Sequence, residues 1–210
     1  AYAEGDALGG HDPYSASKAA TEIIAASFRD AFFAPEGVAL VTARGGNVIG
    51  GGDYSADRLV PDIVRALSRN EPVVLRNPGA TRPWQHVLDC LDGYFTYLRG
   101  VATGRSLPPA LNFGPAQGSP CLTVAVLSDA MLTAMGRPAL HQLDPTTGPH
   151  EMATLRIDPE LAGKVLPWNP RLNSDSMLRL TADWYAAQAA GQDTAALTDA
   201  QIAQYQDLAP

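Results

Sequence analysis

The feature that most constrains the fold is the regular alternation of helix-type and strand-type segments. Apolar residues recur at helical spacing over 14–33, and the run 37–43 that follows is almost continuously apolar. Such a run is typical of a strand buried on both faces of a parallel sheet, and a glycine-rich turn over 45–52 follows it. The pattern continues with predicted helices over 59–67, 88–98, 124–135, 177–189 and 198–205, and with predicted strands over 72–75 and 110–113. Strands separated by helices predict an α/β fold.

Composition excludes several classes of partner. The chain has 210 residues, a net charge of −7 and no cluster of Lys or Arg, so we expect no nucleic-acid partner. Its apolar runs are far shorter than the roughly 20 residues that cross a bilayer, so we expect no membrane partner either. Cys90 and Cys121 lie far apart without metal-ligand spacing, which predicts neither a disulfide framework nor a metal site. These features, with the lack of a secretory leader, predict a cytoplasmic protein.

The sharpest chemical signal is the segment Tyr14-Ser-Ala-Ser-Lys18. Residues four apart share one face of a helix, so the phenol and the ammonium would lie side by side. A fixed ammonium favours phenolate over phenol, and a phenolate can act as general base for a sugar or alcohol hydroxyl. The alternative is a surface tyrosine beside a solvated lysine. We favour the functional interpretation because the chain has only two lysines.

This segment resembles the Tyr-x-x-x-Lys segment of the extended short-chain dehydrogenase/reductases, the family that contains nucleotide-sugar dehydratases and epimerases. Other segments follow in that family's order, namely Arg44-Gly-Gly-Asn-Val-Ile-Gly50, Arg58-Leu-Val-Pro61, Arg82-Pro-Trp-Gln-His-Val87, Asn112-Phe-Gly-Pro115 and Pro149-His-Glu151. Within the family, the segments Leu8–Tyr14, Asn47–Asp53 and Ala80–His86 are most similar to the dehydratases of CDP-glucose. The resemblance covers essentially the whole chain.

For the fold, the resemblance implies the C-terminal part of a Rossmann-type parallel sheet with a smaller α/β substrate-binding domain. Residues 1–50 would be a remnant of the NAD-binding domain, and residues 51–210 a substrate-binding region with interleaved Rossmann elements. In this family the nucleotide-binding half with its glycine motif precedes the Tyr segment, but only 13 residues do so here. We therefore expect the sequence to begin inside a larger protein. The longer protein would be a homodimer, with the Tyr14 helix in the interface.

For the activity, the resemblance implies NAD-dependent dehydration of a nucleoside-diphosphate hexose, with CDP-glucose as substrate and CDP-4-dehydro-6-deoxyglucose as product. Tyr14 and Lys18 would be catalytic and would also contact NAD, as would Arg44 and Val48. The expected substrate contacts are Asn47, Arg58, Leu59, Arg82, Asn112, His150 and Glu151. The carboxylates that assist loss of water would precede Ala1, so we expect the chain alone to be inactive. A sibling epimerase or decarboxylase, or a non-catalytic module that binds nucleotide sugar, remain alternatives.

Five other polar residues have plainer interpretations. His86 is interpreted as a satisfied core histidine rather than a base. Asp89 and Asp92 are expected on a solvated helix face or at a cap. Thr198 and Gln201 stand at capping-box spacing, which predicts the start of the last helix.

Overall fold

The computed structural model describes residues 1–138, 141–144 and 152–208. Its helices are α1 (Pro13–Phe28), α2 (Leu59–Arg69), α3 (Val87–Ala102), α4 (Val124–Ala134), α5 (Glu160–Val165), α6 (Ser174–Ala189) and α7 (Thr194–Gln206). Its strands are β1 (Thr42–Gly45), β2 (Asn47–Ile49), β3 (Val73–Leu75), β4 (Trp84–His86), β5 (Ala110–Phe113) and β6 (His141–Leu143). The π-helical turn Arg29–Phe33 continues α1.

The strands form three parallel pairs, β1 with β5, β2 with β4 and β3 with β6. Parallel pairing requires a crossover between partners, and helices provide most of these connections. The predicted α/β class is confirmed.

The chain passes from one pair of strands to another at Gly46. β1 ends at Gly45 and β2 begins at Asn47, yet the two strands have different partners. A Cβ placed on Gly46 would lie 2.5 Å from the carbonyl oxygen of Pro83. Only glycine therefore fits at this close approach of two backbones.

Two hydrophobic cores flank this junction. The first core comes from α3, β5, α5 and the turn after α5, and its buried residues are Tyr97, Leu111, Phe113, Ala162, Leu166 and Trp168. The second lies among β2, α2, β3, α4 and α6, and its fully buried members include Ile63, Leu75, Leu127 and Met131. Elements of the two cores alternate along the sequence. The predicted boundary at residue 50, between an NAD-binding remnant and a substrate-binding region, stays a prediction.

Polar caps fix the starts of the helices. Asp12 accepts a hydrogen bond from the backbone N–H of Ser15 at 2.9 Å, and Pro13 follows as the first residue of α1. The hydrogen bonds from the Ser15 side chain and backbone hold the pKa of Asp12 below its usual range. Asn173 and Asp193 cap α6 and α7 in the same way. These caps fix the first residues of α1, which carries Tyr14 and Lys18, and of α6, which carries Tyr185.

Several predicted elements need correction. The strand expected over 37–43 is β1 at Thr42–Gly45, and Val38 is 51% exposed instead of buried on both faces. The glycine-rich turn contains strand β2. The capping box at Thr198 is wrong, because α7 begins four residues earlier and the Thr198 hydroxyl accepts from the indole of Trp184. Strands β4 and β6 and helix α5 were not predicted.

Helix α1 buries none of its side chains. Its apolar residues Ile23, Ile24 and Phe28, and Phe32 in the π-helical turn, are 48–60% exposed. Leu91, Phe95 and Leu98 of α3 are 41–64% exposed. None of the described helices is both long and apolar enough to cross a membrane.

Candidate functional site

Tyr14 and Lys18 lie together near the start of α1. Lys18 Nζ is 5.6 Å from the centre of the Tyr14 ring, which is within cation–π distance. Tyr14 is 67% exposed, and Lys18 is also exposed. The predicted juxtaposition is therefore present, and both polar ends are accessible.

Arg44 connects β1 to α1. Its Nη2 atom lies 2.8 Å from Glu22 Oε2, and Nη1 donates to the carbonyl oxygen of Glu4 at 3.3 Å. The Thr42 hydroxyl donates to the same Glu22 oxygen at 2.9 Å. Burial raises the pKa of Glu22, but hydrogen bonds from Arg44 and Thr42 outweigh it and hold that pKa below its usual range. The arrangement holds helix and strand together, and contact of Arg44 with a cofactor stays a prediction.

Asn47 and Val48 lie on β2, which pairs with β4. Asn47 is opposite Trp84 and Val48 opposite Gln85, and the backbone N–H of Asn47 donates to the Pro83 carbonyl at 3.0 Å. Both side chains are half-buried. This pairing places Asn47 next to the Arg82 segment, although ligand contact by either residue stays a prediction.

Asn112 lies at the carboxyl end of β5 and contacts the first residues of the chain. Its backbone N–H donates to Glu4 Oε1 at 2.8 Å, and its side-chain amide donates to the Tyr2 carbonyl at 3.0 Å. Asn112 is buried. Its side-chain amide contacts backbone, and contact with a substrate stays a prediction.

Arg58 and Leu59 stand where the chain enters α2. Arg58 is extended at the N-cap position and exposed, and Leu59 is half-buried. Asp53, at the other end of the same loop, is affected by the Arg58 charge. Burial raises the pKa of Asp53, yet hydrogen bonds from Ser55 and the charges of Arg58 and Arg65 hold it below its usual range.

Arg82 borders a cleft of about 520 Å³. Its Nη1 atom donates to the carbonyl oxygens of Thr81 and Met152, both at 2.9 Å. Arg156 also lines the cleft, as does Gln85, whose Oε1 is buried and has no hydrogen-bond partner among the described residues. Asn173 and Ser174, at the start of α6, complete one wall. Two arginines and the N-terminus of α6 could bind an anion here, and Asp89 and Asp158 also line the cleft, so it carries charges of both signs.

The cleft does not unite all predicted site residues. Of those that lie within the described residues it contains Arg82 alone, and Tyr14, Asn47 and Arg58 lie elsewhere. Sequence reasoning missed Arg156 and Gln85. The parallel bridge between Thr81 and Thr154 carries the 152–158 segment alongside Arg82, and no local motif reveals that pairing.

His86 is a core histidine, as predicted, but it is only half satisfied. It is 2% exposed, its Nδ1 accepts from the Leu88 N–H at 3.2 Å, and its Nε2 has no hydrogen-bond partner among the described residues. Burial lowers the pKa of His86 to about 4. The ring is therefore neutral at pH 7, with its proton on Nε2.

The expectation of a solvated Asp89 is wrong. Asp89 is 2% exposed, and its carboxylate accepts from the backbone N–H groups of Arg171 and Leu172 at 2.7 and 3.3 Å and from the Tyr205 hydroxyl at 2.9 Å. Burial raises the pKa of Asp89. Asp92 lies 3.4 Å from the Arg171 guanidinium. Both carboxylates thus hold the C-terminal segments against α3.

His150 and Glu151 lie outside the described residues. Across the described ranges no group of three or more His, Cys, Asp or Glu side chains could hold a metal ion. Cys90 and Cys121 are both unpaired.

Comparison with known families decides the family. A model described as "NAD dependent epimerase/dehydratase family" matches residues 2–114, more than half of the chain. The chain belongs to the NAD dependent epimerase/dehydratase family. The predicted family and cofactor class are confirmed, since the family is NAD-dependent by description.

Individual relatives agree with this assignment. The chain is 40% identical to the CDP-glucose 4,6-dehydratase of Salmonella typhimurium, with 97% of this chain and 58% of that protein covered. Two solved structures share the fold at lower identity. dTDP-glucose 4,6-dehydratase from Bacillus anthracis in complex with NAD has a TM-score of 0.73 at 22% identity, with 91% of this chain and 57% of that chain covered. A UDP-glucuronic acid 4-epimerase from Bacillus cereus, in complex with a fluorinated UDP-sugar and NAD, has a TM-score of 0.76 at 17% identity, with coverages of 90% and 57%.

The chain thus spans somewhat over half the length of these relatives. Their similarity confirms that the parallel strands and helices described here form a Rossmann-like arrangement of this family.

Proposed function

We propose that this chain is the C-terminal part of a longer enzyme that dehydrates CDP-glucose. The observation that carries the proposal is the Tyr14–Lys18 pair, 5.6 Å from Nζ to ring centre, in a chain 40% identical to a CDP-glucose 4,6-dehydratase. In the longer protein, residues 1–50 would belong to the NAD-binding domain and residues 51–210 to the substrate-binding region. A cytoplasmic location stays a prediction.

The residues present fit a nicotinamide cofactor. Tyr14 and Lys18 have exposed polar ends, and Lys18 has no carboxylate partner among the described residues, so both can bond to a ligand hydroxyl. When bound, NAD supplies reversible hydride transfer. Lys18 would bind its ribose, while Val48 and Arg44 would stand beside it.

Tyr14 is the proposed base. As a phenolate it accepts the proton of the sugar's 4-hydroxyl, and the Lys18 ammonium stabilises the negative charge on the phenol oxygen. Oxidation at carbon 4 acidifies the C–H bond at carbon 5. Loss of that proton and of the 6-hydroxyl then releases one molecule of water and leaves a double bond between carbons 5 and 6. The hydride taken from carbon 4 would return to carbon 6 while a proton adds at carbon 5, which gives the 4-keto-6-deoxy sugar without net oxidation. We assign the groups that assist this loss to the part of the longer protein that precedes Ala1.

Arginines anchor the diphosphate in this proposal. Arg82 borders the 520 Å³ cleft, and its bonds to the Thr81 and Met152 carbonyls orient the guanidinium. A planar guanidinium makes charge-assisted bonds to phosphate oxygens. Asn47, Arg58, Leu59, Asn112, His150 and Glu151 are the other proposed substrate contacts.

We also propose a homodimer for the longer protein. The exposed apolar residues of α1 and α3 are the surfaces expected to pack against the second copy. Phe95, 64% exposed on α3, offers the clearest test. We expect Phe95→Glu to convert the dimer to monomer in sedimentation, and a monomeric wild-type enzyme would refute the dimer.

The decisive experiment uses the full-length enzyme encoded with its upstream residues. Incubated with NAD and CDP-glucose, it should form a 4-keto-6-deoxy sugar that absorbs in alkali, and it should turn over UDP-glucose and dTDP-glucose more slowly. Tyr14→Phe should lower kcat about 10²–10⁴-fold, the usual contribution of a general base, while Tyr2→Phe should not. Epimerised product without water loss would favour the sibling epimerase, and binding without turnover would favour the non-catalytic alternative.

A further inference from the structure

The loop between β2 and α2, residues 50–58, is here called the strap. It begins after Ile49 and ends at Arg58, a proposed substrate contact. Residues 54–58 are all exposed, so the strap's own side chains bury little surface. Its conformation therefore depends on contacts from other elements.

The first such contact is the Tyr185 hydroxyl. It accepts from the Asp53 N–H at 3.1 Å and donates to the Asp53 carbonyl at 2.7 Å. Tyr185 is 1% exposed on α6, so its ring cannot move without disturbing the second core. Burial raises the pKa of Tyr185 to about 12, so the hydroxyl keeps the proton that it donates. One rigid side chain thus fixes both polar backbone groups of Asp53.

The second contact is the Arg65 guanidinium on α2. Nη1 donates to the Tyr54 carbonyl and Nη2 to the Ser55 carbonyl, both at 3.1 Å. Asp62, one turn earlier, holds the same guanidinium through Nη2 at 2.5 Å. The planar fork of arginine places two separate nitrogens at two successive carbonyls, whereas a lysine has all its donors on a single nitrogen.

The third contact is the Trp184 ring. A Cβ placed on Gly51 would lie 2.1 Å from Trp184 Cγ, so the indole lies directly against the backbone of the strap. The Trp184 N–H donates to the Thr198 hydroxyl at 2.9 Å, which connects this contact to α7. Helix α6, which is bonded to α7, therefore holds the strap at Gly51, and Arg65 holds it at Tyr54 and Ser55.

We infer that Tyr185 and Arg65 are positioning residues that set substrate affinity by placing Arg58. The inference rests on the proposed function, because it takes the strap as part of the nucleotide-sugar site. Neither residue need touch the ligand. Tyr185 holds the strap at Asp53, and Arg65 holds it at Tyr54 and Ser55. Because the strap is already ordered before the ligand arrives, binding at Arg58 does not carry the entropic cost of ordering it.

The test combines hydrogen exchange with steady-state kinetics on the full-length enzyme. Tyr185→Phe keeps the ring but removes both bonds to Asp53, and Arg65→Lys keeps the charge but loses the fork. Both should speed amide exchange in residues 53–58 and raise KM for CDP-glucose about tenfold, with kcat changed less than about twofold. The affinity for NAD should not change.

Two controls separate positioning from general destabilisation. Arg69→Lys alters an exposed arginine on the same helix, and Tyr97→Phe removes a buried hydroxyl that donates to the Pro108 carbonyl in the first core. Neither should change exchange at 53–58 or KM. Because Arg65 is only partly buried, Arg65→Lys serves if Tyr185→Phe does not fold.

The outcomes are distinct. Unchanged exchange at 53–58 in both variants, or faster exchange with unchanged KM, would overturn the inference. If the wild-type enzyme turned over no nucleotide sugar, the proposed function would fail instead, and the exchange data together with titration of CDP would still decide whether Tyr185 and Arg65 control binding through the strap.

Discussion

The hydroxyl of Tyr205 on α7 donates a hydrogen bond to Asp89 Oδ1 on α3 at 2.9 Å. Both residues are almost fully buried, and the Arg171 guanidinium stacks on the Tyr205 ring at 4.9 Å. The last helix is thus held to the middle of the chain by a buried carboxylate and not only by apolar contacts.

Tyr205→Phe should destabilise the protein by about 1–3 kcal/mol, because it leaves a buried carboxylate short of one donor. Urea unfolding at pH 7 measures this loss. Tyr2→Phe, which removes an exposed hydroxyl, should change the free energy of unfolding by less than about 0.5 kcal/mol. Equal stability of Tyr205→Phe and wild type would show that the hydrogen bond is replaced by water.

His86 should make the protein less stable as pH falls from about 6.5 to about 4. Its folded pKa, about 4, lies below the ordinary value of 6.5, so the unfolded chain binds a proton that the folded chain excludes. The stabilisation from the neutral His86 ring is fully present above pH 6.5. As much as about 3 kcal/mol of it is lost as pH falls to 4.

His86→Asn tests this dependence, because asparagine can cap α3 without titrating. The slope of unfolding free energy against pH between 6.5 and 4 should become shallower in this variant. His11→Asn, at an exposed position, should leave the wild-type slope unchanged. An unaltered slope in His86→Asn would assign the acid sensitivity to other groups.

Gly51→Ala should destabilise the protein by about 1–3 kcal/mol through overpacking against the Trp184 ring. Gly79→Ala is the matched control, because a Cβ there would meet nothing within 4 Å. Thermal unfolding of both variants compares them directly. Equal melting temperatures would mean that Trp184 can move aside at little cost.

Glu22→Gln should lower stability by about 1 kcal/mol at pH 7, because it removes a charge-assisted bond to a mostly buried Arg44. The lowered pKa of Glu22 means that its contribution is present above its ordinary value of 4.5 and is lost as pH falls below that. The difference between variant and wild type should therefore shrink in acid. Glu36→Gln, on an exposed turn, should show no such difference.

Local sequence pattern predicted the longer elements well. Strand β5 has the predicted bounds, and α2 and α4 agree to within two residues. Apolar periodicity over ten or more residues is strong enough to determine such helices. The three-residue strands β4 and β6 carry no periodicity, and their existence depends on pairing with distant partners.

The site was predictable where its geometry is local. Tyr14 and Lys18 are four residues apart on one helix, so spacing alone brings them together. Asp89 was misjudged because its three donors come from Arg171, Leu172 and Tyr205, more than 80 residues away. The Tyr185 contact to Asp53 spans 132 residues and has no sequence signature either.

Gly46 gives the molecule a further property. A single residue separates a strand paired with β5 from a strand paired with β4, so the junction has no slack to absorb relative motion. A displacement of Asn47 would act through Gly46 on Arg44 and, through the ion pair of Arg44 with Glu22, on the helix that carries Tyr14 and Lys18. The path from β2 to α1 therefore consists of three residues of backbone and one ion pair.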